Sequence, residues 1–219
     1  MSSNFFTHTP TSWEDCLTAR TSLNKYISGS RLAHTISVEM QALDMAKIIF
    51  PVLGIDSSFL SDVSCAALLH DITKHKGLDE QLEMCRKYGI KTESEADKSC
   101  AILHSKTGAH LAKELFGVND IVFNAIYSHT VGSCDIDIIS KIIFLADYIE
   151  PTRTHASCKD VRDMFYCSMS DSHDNCINVL DKCIVKSIDL TVNYLIQQNS
   201  LIHPQTVVTR NSILETCVF

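Results

Sequence analysis

The sequence is poor in the residues that punctuate β-structure and loops: 219 residues hold only seven glycines and four prolines. Where they fall, they separate segments with helical spacing. No Cys-x-x-Cys pair occurs among ten cysteines scattered singly from Cys16 to Cys217, which excludes a zinc ribbon or a thioredoxin-like motif. Basic excess is also missing. The formal charge is −7, which argues against a nucleic-acid backbone or an anionic membrane surface as the main partner. Apolar stretches are too short to span a bilayer, and MSSNFFTHTPTSW has no basic region followed by an apolar one. A cytoplasmic chain with reduced thiols is therefore expected. There is no Walker loop, dinucleotide-type glycine fingerprint, nucleophile elbow or H-E-x-x-H motif.

What is present is ordinary for one globular domain over residues 1–219, with 45% apolar and 21% charged residues. Residues 1–12 read as a polar, frayed end. Helices are expected from Trp13 to Tyr26, from Arg31 (capped by Ser30) to Phe50 before Pro51, and from a cap at Asp56 or Ser57 into His70. Further helices are expected from Leu78 to Tyr88, from Ala96 to Phe116 with a break near Ser105, and from Asn119 to Thr130. The segment DIDIISKIIFLADYIEP is too long for a typical strand and reads as a buried helix ended by Pro151. Ile177, Leu180, Ile184, Ile188, Val192 and Leu195 recur at steps of three and four and form one core stripe. The fold class is all-α.

The residues with chemistry stand at the ends of apolar helical runs: RLAHT (His34), CAALLHDITK (His70 and Asp71), AILHSKTGAH (His104), NAIYSHT (His129) and KIIFLADYIEP (Asp147). Helix neighbours point about 100° apart, so His70 and Asp71 reach one site only at a helix end or between several helices. Imidazole and carboxylate together suit zinc, iron or manganese, and a carboxylate such as Asp71 can bridge two ions. Each histidine also has an ordinary reading as a hydrogen-bonded core or surface residue, and residue pattern alone does not choose. His8, His75, His155 and His173 lie in polar contexts and read as surface; His110, on a helix, and His203, before a proline, have structural explanations.

The ordered series His34, His70-Asp71, His104, His129, Asp147 resembles the HD superfamily of metal-dependent phosphohydrolases. The words LLHDITK, LHSKTGAHLAKELFGV, AIYSHT and KIIFLADYIEPTR are similar to the YqeK family, bacterial HD proteins that hydrolyse dinucleoside tetraphosphates symmetrically. The likeness runs from about Arg31 to Arg162. It implies an all-α HD bundle with a site between helices for two divalent transition-metal ions, commonly iron, with manganese, cobalt or zinc as substitutes. The implied reaction splits diadenosine tetraphosphate into two ADP. His34, His70, Asp71, His104, His129 and Asp147 become metal ligands, with Asp71 at the centre of the chemistry. Lys74 and Arg153 become phosphate contacts, where the bland readings are a solvated lysine and a helix C-terminal cap. Thr130 and Tyr148 become weaker substrate contacts. A homodimer is consistent with the family. After Arg153 this chain reads THASCKDVR where the family usually has a glycine-containing turn, which bears on loop shape and nucleotide preference. Other HD-type nucleotide phosphohydrolases and a non-catalytic nucleotide sensor are the alternatives.

Overall fold

The computed structural model describes residues 9–92, 98–171 and 175–217. Ten α-helices occur among the described residues: α1 (Trp13–Ser22), α2 (Gly29–Leu53), α3 (Leu60–Leu69), α4 (Leu78–Tyr88), α5 (Cys100–Phe116), α6 (Asp120–Ser128), α7 (Ile138–Ile149), α8 (Ala156–Asp171), α9 (Cys176–Gln197) and α10 (Pro204–Thr216). There is no strand among them, as the sparse punctuation predicts, and the fold is an all-α bundle. None of these helices is long and apolar enough to cross a membrane.

The isoleucine-rich segment is the central helix. In α7, Ile139, Ile142, Ile143, Leu145 and Ile149 are fully buried, and α2, α3, α6, α8 and α9 all pack on it. Each such side chain contributes about 1.5–3 kcal/mol on burial, which fixes α7 as the axis of the bundle. Asp137 caps it by accepting from Ser140 N at 2.9 Å. Helix α3 is buried over every residue from Ser61 to Leu69.

Several boundaries differ from the sequence expectation. Helix α2 begins at Gly29, with Ser28 at its N-cap, and runs through Pro51 to Leu53. Proline lacks an N–H and crowds the preceding turn. Here it stands in the last turn, where left-handed Gly54 already closes the helix. The expected break at Ser105 is absent: its hydroxyl donates to Ile102 O at 3.0 Å, so α5 passes through it intact. α5 starts at Cys100, capped by Ser99; the expected start at Ala96 lies outside the described residues, as do residues 1–8. Helices α8 and α10 were not anticipated.

Candidate metal centre

Five elements bring the six chemical residues together. His34 stands in α2, His104 in α5 and Asp147 in α7, while His70 and His129 are the C-caps of α3 and α6. Asp71 opens the turn after α3. That turn is held from two sides: Thr73 Oγ1 donates to His104 O at 2.8 Å, and Gln81 Nε2 of α4 donates to Thr73 O at 2.7 Å. Gly108 of α5 packs against the same turn, where even a Cβ would meet Thr73 Oγ1 at 3.4 Å and His70 O at 3.5 Å, ordinary contact distances. The adjacent His-Asp pair therefore sits at a helix end between several helices, the condition its spacing demands.

In all four histidines Nδ1 faces an oxygen acceptor. His70 Nδ1 donates to Ala67 O at 2.7 Å, His129 Nδ1 to Ile126 O at 2.7 Å, His104 Nδ1 to Cys100 O at 3.2 Å and His34 Nδ1 to Glu150 Oε1 at 3.0 Å. A neutral ring whose Nδ1 carries the proton presents a lone pair at Nε2, and the four Nε2 atoms converge. His34 Nε2 is 3.1 Å from Asp147 Oδ1 and 3.9 Å from Asp71 Oδ2. His70 Nε2 is 3.7 Å from Asp71 Oδ2 and 4.0 Å from Asp147 Oδ1. On the other side, His104 Nε2 and His129 Nε2 are 3.1 Å and 3.8 Å from Asp71 Oδ1. The Asp71 carboxylate thus turns one oxygen to each pair of histidines. Ligand atoms of His34, His70 and Asp71, of His70, His129 and Asp147, and of Asp71, His104 and His129 each lie within 4.8 Å of one another.

This donor set fits divalent metal. His70 Nε2 and Asp71 Oδ1 are buried without any hydrogen-bond partner, an arrangement that costs about 1–3 kcal/mol per group unless something is bound there. His104 Nε2 and His129 Nε2 face each other at 2.9 Å although both rings donate from Nδ1. Burial holds the pKa of His104 below its ordinary value, and burial with the neighbouring His104 and His70 holds His129 well below it. Both rings are therefore kept in the neutral form that binds metal. Burial alone would raise the Asp71 carboxyl, but His70, His104 and Lys74 outweigh it and keep it ionised far below the usual range. Burial likewise opposes ionisation of Asp147, and His34, His70 and Arg153 override it. The overlapping clusters form a binuclear site between helices.

Three cations ring the centre. Arg31 Nη1 lies 2.8 Å from Asp71 Oδ2, Lys74 Nζ 3.0 Å from His104 Nε2, and Arg153 Nη2 2.7 Å from Asp147 Oδ1. Thr130 Oγ1 is 3.4 Å from His104 Nε2. Lys74, Thr130, Tyr148 and Arg153 all line a cavity of about 760 Å³ that His129 and Asp147 also face. Two contributors escaped the sequence reading. Arg31 lies three residues before His34 and Glu150 three residues after Asp147, spacings that place each near its partner on one helix face. Glu150 is buried and accepts from Thr152 N and Thr152 Oγ1, both at 2.6 Å, as well as from His34.

The other histidines fall into separate surroundings. His75 and His155 are exposed, and His8 and His173 lie outside the described residues. His110 packs against Tyr88 and Phe123, with ring centroids at 5.0 and 5.1 Å. His203 caps α10, as its position before Pro204 suggests, and it also lines the cavity.

Comparison with known proteins agrees with this geometry. The HD domain family matches residues 31–152, more than half of the chain, and the chain belongs to it: it is an HD-superfamily, metal-dependent nucleotide phosphohydrolase. Within that class it is related to the symmetrical bis(5'-nucleosyl)-tetraphosphatases. It is 30% identical over 190 residues to the protein of that name from Halalkalibacterium halodurans, covering 86% of this chain and 91% of the relative. It is 32% identical over 178 residues to the one from Staphylococcus aureus, covering 81% and 83%. Among solved structures, an HD superfamily hydrolase described as involved in NAD metabolism, from Clostridium acetobutylicum, superposes with a TM-score of 0.77 at 26% identity. That match covers 95% of this chain and 100% of the other.

Proposed function

We propose that this chain hydrolyses dinucleoside tetraphosphates at the central linkage, converting diadenosine tetraphosphate into two ADP. In this reading His34, His70, Asp71, His104, His129 and Asp147 hold two divalent transition-metal ions, with iron the first choice and manganese, cobalt or zinc as substitutes. The observation that carries it is the Asp71 carboxylate, with one oxygen turned to His34 and His70 and the other to His104 and His129. The names of the curated relatives support the substrate class. Two such ions, when bound, neutralise phosphate oxygens and bring the pKa of water near neutrality.

The protein's own residues orient the polyphosphate. Lys74 and Arg153 face the cavity and supply fixed positive charge to the equatorial oxygens and to the departing nucleoside diphosphate. Arg153 is the better suited to a bidentate phosphate contact, because its planar fork already approaches the centre through Asp147. Thr130 and Tyr148 contribute hydroxyl groups along the same wall. Glu150 holds the His34 ring in one orientation.

A second reading takes another dinucleotide as substrate, prompted by the NAD-metabolism description of the similar solved structure. Product analysis separates them. Purified protein supplied with iron or manganese should give ADP as the sole initial product from diadenosine tetraphosphate. AMP with ATP would mean asymmetric cleavage, and turnover of NAD in preference to the tetraphosphate would favour the second reading. No turnover of any nucleotide by fully loaded protein would make it a sensor.

A further inference from the structure

Residues 147–153 hold three of the groups gathered at the centre: Asp147 beside His34 and His70, Glu150 against His34 Nδ1, and Arg153 against Asp147. Helix α7 stops at Ile149, so Glu150 and Arg153 stand on backbone that no helix holds. The last carbonyls of a helix also lack intrahelical donors. Arg153 N meets one of them, donating to Glu150 O at 3.0 Å. The Arg153 side chain donates from Nε to Asp147 O at 2.9 Å and from Nη2 to Asp147 Oδ1 at 2.7 Å. Asp147 is itself a proposed metal ligand, so its carboxylate is no lasting anchor for a side chain that must also meet phosphate.

The anchor comes from α8, outside the 31–152 match. Arg162 is half-buried, and its guanidinium donates from Nε to Ile149 O and from Nη2 to Glu150 O at 2.6 Å and Arg153 O at 3.1 Å. One planar fork thus spans the turn from the end of α7 to Arg153, and its charge suits the negative end of that helix. The base of the fork is fixed, because Val161 and Phe165 of α8 are fully buried. The start of α8 is fixed as well: His155 O accepts from Cys158 N at 3.1 Å and from Lys159 N at 3.2 Å. The stretch THASCKDVR therefore closes over the turn with no glycine in it. All three acceptors of Arg162 are main-chain carbonyls, and Arg162 does not line the cavity.

We propose that Arg162 is a positioning residue for phosphate binding: by holding the 149–153 turn from α8, it presents the Arg153 guanidinium to the polyphosphate. This rests on the reading above that Arg153 contacts phosphate, and it places a determinant of that contact outside the HD segment. Loss of the clamp releases the main chain beneath Arg153, and a misplacement of about 1 Å is enough to cost up to about a hundredfold.

The test uses inorganic pyrophosphate, titrated calorimetrically into manganese-loaded protein freed of excess metal, with affinity read per metal-loaded chain. Arg153→Ala should weaken pyrophosphate by at least about tenfold, as for loss of a charge-assisted hydrogen bond. Arg162→Met keeps the apolar stem, removes the fork and should weaken it by about tenfold. Arg162→Lys keeps the charge but cannot bridge the three carbonyls, and should weaken it by about three- to fivefold. The lysine variant carries the test if the methionine variant does not fold. The double variants separate positioning from general destabilisation: with Arg153→Ala in place, either Arg162 change should alter pyrophosphate affinity by less than about twofold. The inference is overturned if the Arg162 variants bind pyrophosphate as wild type does while Arg153→Ala weakens it, or if they weaken it equally with and without Arg153. Wild-type affinity in Arg153→Ala would overturn this inference together with the phosphate role given to Arg153 above. Wild-type protein that cleaves diadenosine tetraphosphate to AMP and ATP would overturn the proposed central cleavage alone, and the pyrophosphate comparison would stand.

Discussion

The metal centre and the α9–α10 wall face the same cavity, and they are constructed in opposite ways. At the centre, polar atoms are fixed one by one: each histidine has its Nδ1 tied to a backbone carbonyl or to Glu150, so only Nε2 remains to act. On the wall, hydroxyls of Ser187, Thr191 and Thr206 alternate with Leu195, and position is set by packing of α10 at Gly132 and Thr209 together with the Arg210–Asp189 pair. Ions demand donors placed to fractions of an ångström, while a cavity wall demands surface at a suitable distance. The six His and Asp residues of the centre all lie within the HD match at residues 31–152, whereas α9 and α10 lie outside it.

The sharpest way to break the contrast is Asp71→Ala. One carboxylate serves both histidine pairs, so most bound metal should be lost and activity should fall by at least about a thousandfold, as expected when a group acting throughout the reaction is removed. Elemental analysis with a tetraphosphate assay reads both. Full metal content in that variant would mean that the two pairs do not share Asp71. Lys74→Ala should cost about a hundredfold in kcat while metal content stays near wild type, as for loss of one charge-stabilising donor. Parallel loss of metal would instead make Lys74 a structural partner of His104.

Glu150→Gln isolates the support beneath a single ligand. Glutamine can still accept from His34 Nδ1 but has no charge, so metal affinity should drop by about tenfold, with a larger drop for Glu150→Ala. Metal titration by calorimetry would show it, and equal affinities in both variants would remove Glu150 from this role. On the wall, Gly132→Ala should destabilise the fold by about 1–3 kcal/mol through left-handed strain and overlap with Thr209. Chemical denaturation measures that loss; an unchanged midpoint would mean that α10 is not held by this contact. The smallest effect belongs to the exposed histidines: His75→Ala and His155→Ala should stay within about 0.5 kcal/mol of wild type with full metal.

Legibility in the sequence followed the kind of residue each element buries. Helix α7 was readable because it buries isoleucine and leucine, and the α9 stripe only in part: Leu180, Ile184 and Ile188 are buried, but Ile177 is exposed at the helix start and Val192 and Leu195 are half-buried. Helix α10 was not, because it buries Thr206, Thr209 and Ile213, two of them polar. Helix α8 buries only Cys158, Val161, Phe165 and Met169 along sixteen residues, a thin stripe within a polar segment. His203 was read correctly as a structural residue before a proline, but nothing local to it shows that α10 folds back over the cavity.

The sequence by itself determined the helical class, the six His and Asp side chains that the structure gathers and their resemblance to the HD superfamily, because residue type and helical period are local properties. Only the tertiary structure decided that the Asp71 carboxylate divides its oxygens between two histidine pairs and that Arg31 and Glu150 reach the centre. It alone decided that α9 and α10 close the opposite wall. Those facts depend on where helices distant in the chain cross, and crossing is fixed by side-chain packing that no local pattern encodes.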